Sequence, residues 1–223
     1  MDSVLPNYRE FIDLERKTLL LLRNDLSKRA TFRHTADDAG KALDCTGNKA
    51  FSFCTHWDIQ YMGENCRVFL GAGVEKSPRG DKIYRTSYYV SIVEGTEIPT
   101  KILRKFHFDY VTEDKAHPRF HLQYGGELPP AMETRGVTQD HIKILLPKVR
   151  EPRIFYAPMT IGLLMNMLFY EFPNDDVKYA KEQPGWRKII KENEIKVLKQ
   201  FYSKCADLAG KRDAILFDQV YVK

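Results

Sequence analysis

The chain is predicted to adopt an α+β fold: a mainly antiparallel, five- or six-stranded meander sheet with one face covered by N- and C-terminal helices. Three observations predict it. Apolar residues recur at helical spacing near both ends of the 223-residue chain. Between about residues 50 and 126 they alternate with polar residues at period two. Turn-forming clusters, not helical stretches, separate those alternating runs, which favours hairpins over parallel crossovers.

The elements follow in order. From Asn7 to Lys28, Tyr8, Phe11, Ile12, Leu19, Leu22 and Leu26 stand among charged neighbours behind Pro6, the pattern of an amphipathic helix. Thr31 to Lys49 is small, polar and charged and reads as a loop with at most a short helix, able to serve as a flap. Phe53, Thr55, Trp57, Ile59 and Tyr61 then alternate with Cys54, His56, Asp58 and Gln60, and the turn Met62 to Asn65 leads to a partner strand Cys66–Val74. After the turn Ser77–Asp81, strands are expected at Lys82–Val93, Ile102–Val111 and Arg119–Tyr124, the last closed by Gly125 and Gly126. The segment from Glu127 to Pro158 holds Pro129, Pro130, Pro147, Pro152 and Pro158 and reads as a connector. Thr160 to Phe172 is apolar nearly all round, as a buried helix is. A second helix is expected from Pro184 to about Ala209, stopped by Gly210, and a final strand from Ala214 to Val222. The whole forms one expected domain, divided into helix and loop (1–49), sheet (50–126), connector (127–158) and C-terminal helices with the final strand (159–223).

Composition narrows the function classes. Hydrophobic residues make up 43% and charged residues 29%, ordinary globular usage. The longest apolar runs fall short of the roughly 20 residues that cross a bilayer, so no membrane partner is expected. The start Met-Asp-Ser-Val-Leu lacks the features of a signal peptide, and a cytoplasmic location is expected. Cys45, Cys54, Cys66 and Cys205 show no metal or redox spacing and read as reduced thiols. The net charge of +5 favours acidic partners only mildly. Gly71-Ala72-Gly73 is followed by no Gly-Lys-Ser/Thr and is not a phosphate-binding loop. The lysines between Lys178 and Lys204 alternate with glutamates around a helix and read as a solvated face. His34 and His141 are isolated and read as structural or exposed.

The phase of each strand decides which polar residues keep company. If Phe53, Trp57 and Ile59 face the core, then His56, Asp58 and Gln60 share the other side. By the same logic Arg85, Ser87, Tyr89 and Ser91 join them from the third strand, His107 and Asp109 from the fourth, and Arg119, His121 and Gln123 from the fifth; His117, in the connecting turn, stands at the rim. An antiparallel sheet is expected to have one wet face, and polar residues there need no function. The residue choice argues for more, because a wet face usually carries Thr, Lys and Glu rather than repeated His-x-Asp and His-x-Gln.

Two chemistries are open. In one, His56, His107, His121 and an aspartate hold a divalent metal ion that activates water. In the other, His107 and His121 are the acid–base pair on a phosphodiester, Asp109 or Asp58 fixes an imidazole tautomer, Arg119 or Arg85 holds the phosphate, and His56, Asp58, Arg85, His117, Arg119 and Gln123 are the substrate-binding candidates beside catalytic His107, His121 and Asp109. The same donors could also form a pocket without catalysis.

The stretch Phe106-His107-Phe108-Asp109-Tyr110, followed by His117-Pro118-Arg119-Phe120-His121-Leu122-Gln123, resembles a His-x-Asp / His-Pro-x-x-His-x-Gln strand pair of poorly characterised bacterial proteins associated with toxin-like or phage-defence loci. The resemblance covers about twenty residues, singles out His107, Asp109, His117 and His121, and implies no settled activity. Together these readings lead to the expectation of a defence- or toxin-type protein handling nucleic acid or a nucleotide, with a phosphodiesterase as its specific form. The rival expectation is a non-enzymatic accessory subunit that docks on a larger effector protein, through its helices, its final strand, or an apolar surface around Trp186, Phe201 and Tyr202.

Overall fold

In a computed structural model, the described residues are 5–44, 50–61, 63–96, 101–112, 120–124 and 153–210. Helix α1 (Tyr8–Asn24) starts at Asn7, whose side chain accepts the Glu10 N–H at 2.9 Å, so one orphan donor of the first turn is satisfied. Its inner stripe carries Phe11, Leu14, Leu19 and Leu22. Two short 3₁₀ turns follow, Leu26–Lys28 and Ala30–Phe32, which drop Leu26 and Phe32 into the core.

Most of the stretch expected to be a loop is helical: α2 spans Arg33–Asp44. Its buried stripe is Thr35, Ala36, Asp38, Ala39 and Ala42. Alanine carries little hydrophobic signal, yet its small size lets α2 lie close against α1 and the first strand.

The sheet is a six-stranded antiparallel meander in the order β1-β2-β3-β4-β5-β6. Its strands are β1 (Ala50–Tyr61), β2 (Glu64–Lys76), β3 (Ile83–Glu94), β4 (Lys101–Val111), β5 (Phe120–Tyr124) and β6 (Arg153–Phe155). The β1–β2 hairpin closes in two residues, and Gly63 takes the left-handed φ of 86° that such a turn requires. The sixth strand lies inside the expected connector and is three residues long at the sheet edge. The expected strand Ala214–Val222 falls outside the described residues.

Helix α3 (Ile161–Glu171) is capped by Thr160, whose hydroxyl accepts the Leu163 N–H at 3.2 Å. Helix α4 (Asp175–Glu182) was not expected; Asn174 caps it, accepting the Val177 N–H at 2.8 Å. The single helix expected from Pro184 to Ala209 is α5 (Pro184–Asn193), a π-helical turn (Glu194–Lys199) and α6 (Gln200–Ala209). Where the ladder widens, the Asn193 side-chain amide donates to the Ile189 carbonyl at 2.7 Å and competes with the backbone for that acceptor.

One apolar cluster runs from α1 across the sheet to the C-terminal helices. The rings of Phe32, Trp57, Phe169 and Trp186 interlock at its centre, with Phe169 5.4 Å from Phe32 and 5.1 Å from Trp186. Trp186 and Phe201 belong to this core, so the apolar docking surface expected around them reduces to exposed Tyr202. Among the described residues no helix is long and apolar enough to cross a membrane.

A carboxyl group is buried in the same core. Glu15 on α1 accepts the Tyr88 hydroxyl of β3 and the Ile161 N–H at the start of α3, the latter at 3.1 Å. Burial raises its pKa to about 8, against the opposing pull of those two hydrogen bonds.

Candidate functional site

The face of the sheet turned away from the helices is built by alternation, and the cross-strand register fixes who meets whom. Tyr89, His107 and Gln123 form one row across β3, β4 and β5. Ser87, Asp109 and His121 form the next. With strands about 4.8 Å apart and two residues along a strand spanning about 7 Å, these six side chains occupy a patch roughly 10 by 7 Å.

Within the second row the carboxylate is the hub. The Ser87 hydroxyl donates to Asp109 Oδ1 at 2.5 Å, and His121 Nε2 lies 3.8 Å from Asp109 Oδ2. His121 is only 5% exposed, so this imidazole is held beside a carboxylate away from bulk water. Asp109 therefore accepts a hydroxyl proton on one side, which fixes the direction of the serine O–H, and faces an imidazole nitrogen beyond hydrogen-bond distance on the other. His107 is the diagonal neighbour of His121, at about 7 to 8 Å for such a pair and somewhat less between Cβ atoms.

The wall of the patch is aromatic. Tyr89 lies 6.1 Å from His107, ring to ring, and its hydroxyl is 3.3 Å from Cys54 Sγ. Its ring crosses directly over Gly71, where a Cβ would sit 1.9 Å from the ring. Gly71, which the sequence excluded from a phosphate-binding loop, is thus a berth for tyrosine. Phe69, Tyr89, Val93 and Ile102 form a small apolar cluster of their own. A register shift between Ile92 and Val93 makes this cluster possible, because it bulges β4 at Leu103 and brings Ile102 opposite Val93. Ser91 and Lys105, cross-strand partners on this face, are also buried. The centre of the face expected to be wet is therefore covered.

The expected cluster divides in two. His107, Asp109, His121 and Gln123 come together, and Arg85 stands on the same face of β3, one row beyond Ser87. His56 and Asp58 do not join them. His56 is on β1, three strands or about 14 Å from β4, and it stacks on His34 of α2 at 5.3 Å between rings. Asp58 is committed to Arg67 on β2, with Nε to Oδ1 at 2.7 Å. His117 and Arg119 lie outside the described residues.

This separation removes the metal site built on His56, His107 and His121. Among the described residues no three His, Cys, Asp or Glu side chains are placed to hold a metal ion.

Sequence reasoning placed Ser87 and Tyr89 on the correct face but gave them no role. The signal was available only in register, since each is the direct partner of a residue already singled out. His34, read as isolated, reaches His56 through the docking of α2, which no local pattern announces. No protein-family model matches the chain, and the comparisons with curated proteins and with solved structures found no match.

Proposed function

We propose that the second sheet face is an acid–base site acting on a nucleic acid or nucleotide, and that its reaction is phosphodiester cleavage. The observation that supports this reading is the Asp109 carboxylate, hydrogen-bonded to Ser87 and set 3.8 Å from a nearly buried His121, with His107 diagonal to it. On an RNA substrate His121 takes the proton of the ribose 2′-hydroxyl as its oxygen attacks phosphorus. The bond from phosphorus to the 5′-oxygen breaks, and His107 donates a proton to that leaving oxygen. Arg85, exposed on the same face, supplies charge for the phosphate, and Gln123 beside His107 offers an amide to a base. A defence- or toxin-type role fits the resemblance of the His107 and His121 strand pair.

Labelled RNA and DNA incubated with the protein, with and without a chelator, test the reading. RNA cleavage that survives chelation is expected. The double variant His107→Ala/His121→Ala should abolish it, and Asp109→Asn, which keeps the buried volume, should slow it by roughly 10²- to 10⁴-fold. Chelator-sensitive cleavage would replace acid–base chemistry with a metal reaction. No cleavage of either polymer would overturn the enzymatic reading in favour of a binding subunit.

A further inference from the structure

The geometry points to a second binding site, in the cleft between α3, α4 and α5, for a nucleoside monophosphate. The cleft has a volume of about 720 Å³ and is lined only by described residues. That volume is within the range of small-ligand pockets. The cleft lies on the helix side of the molecule, with the core and the sheet between it and the Asp109 site. Its floor is preformed, because Phe169 and Trp186 are fixed in the aromatic stack at the centre of the core.

Each part of a nucleotide meets a chemical partner there. For the base, Tyr170 stands at the mouth 66% exposed, with the Lys181 ammonium 3.2 Å from its ring centroid. A tyrosine covered by a cation on one side is a stacking platform on the other. Beside it Asn166 Oδ1 accepts the Trp186 indole N–H at 3.2 Å, which orients the amide and leaves its NH₂ to donate.

For the ribose, Asp175 and Glu182 carry carboxylates with no ion pair among the described residues, acceptors suited to a vicinal diol. For the phosphate, Lys178 is likewise without an ion pair, and Arg187 uses only its Nε, donating to the Lys181 carbonyl at 3.3 Å. Positions 175, 178 and 182 follow helical spacing, so one face of α4 presents both charge types to the cleft. Lys191 and Glu194, also on the rim, pair with each other at 3.5 Å. The two carboxylates oppose the added charge of a di- or triphosphate, which is why the monophosphate is favoured.

Calorimetric titration of the full chain with AMP, GMP, CMP and UMP, with adenosine, inorganic phosphate and ATP as comparison ligands, tests the assignment. In the His107→Ala/His121→Ala background, where the sheet-face site is removed, at least one monophosphate should bind one to one, and more tightly than adenosine, phosphate or ATP. Tyr170→Ala and the double variant Lys178→Ala/Lys181→Ala, at exposed or half-buried positions, should each weaken binding roughly tenfold or more while the thermal midpoint holds. The His107→Ala/His121→Ala variant should bind unchanged, so the two sites fail independently. Absence of binding by all four monophosphates, or binding that survives both cleft variants, would overturn the assignment, as would loss of binding in the histidine variant alone.

Discussion

The two faces of the same six strands bury their side chains by different means. On the helix side the cover is one continuous apolar cluster, in which Phe32, Trp57, Phe169 and Trp186 touch and a fully buried carboxyl group, Glu15, is held by a hydroxyl and a backbone N–H. On the other side the apolar cluster among the described residues is Phe69, Tyr89, Val93 and Ile102, and polar groups such as Ser91, Lys105 and His121 are buried beside it. Alternation tells which residues share a face, but it does not tell whether the face is wet.

The contrast is sharpest in what truncation should cost. Phe169→Ala removes a ring touching three other aromatic residues and is expected to destabilise by about 3–5 kcal/mol. Phe69→Ala, from the smaller cluster among the described residues, is expected to fall at or below the lower end of that range. Urea unfolding of both variants measures the difference. Equal losses would make the second face as much a core as the first.

A smaller effect separates the faces by pH. The Glu15 pKa is raised from 4.5 to about 8 in the folded chain, so the native state holds a proton that the unfolded state releases above pH 4.5. Its contribution to stability is fully present below about pH 4.5, falls as pH rises, and is lost above about pH 8. The slope between those limits reaches about 1.4 kcal/mol per pH unit. Denaturation of the wild type and of Glu15→Gln across pH 5 to 9 should show the wild type losing stability and the variant following a flatter line. Parallel lines would mean that Glu15 titrates normally.

The smallest change belongs to the Asp58–Arg67 pair on the second face, where Asp58 is half exposed. Asp58→Ala should cost less than about 1 kcal/mol, and the cost should shrink further in high salt. A larger, salt-insensitive loss would place the pair in a structural role that its exposure denies.

Much of this was legible in the sequence where chemistry is local. Strand phase sorted His107, Asp109, His121 and Gln123 from Phe106, Phe108 and Phe120 because a period of two leaves no third choice. Helix α2 was missed because its stripe is alanine, and β6 because three residues between prolines make no pattern. Helix α4 had a readable signal in Asn174 followed by two aspartates. Glu15 could be seen to fall in the buried phase with Phe11 and Leu19, but its partners lie 73 and 146 positions away. His56 shared a face with His107, and only strand order could show how far apart along that face they stand.

The Glu15 contact also sets an order of events during synthesis. The first four strands are complete at Val111, while α3, whose first N–H the carboxyl needs, begins about fifty residues later at Ile161. At ordinary translation speeds that interval is roughly 3 to 10 seconds. During it the nascent meander presents Trp57, Tyr88 and Phe108 with no helix from the C-terminal side to cover them. The newly made sheet therefore keeps part of its apolar face uncovered for that interval, and the arrival of Ile161 marks the moment at which the chain can close over its own core.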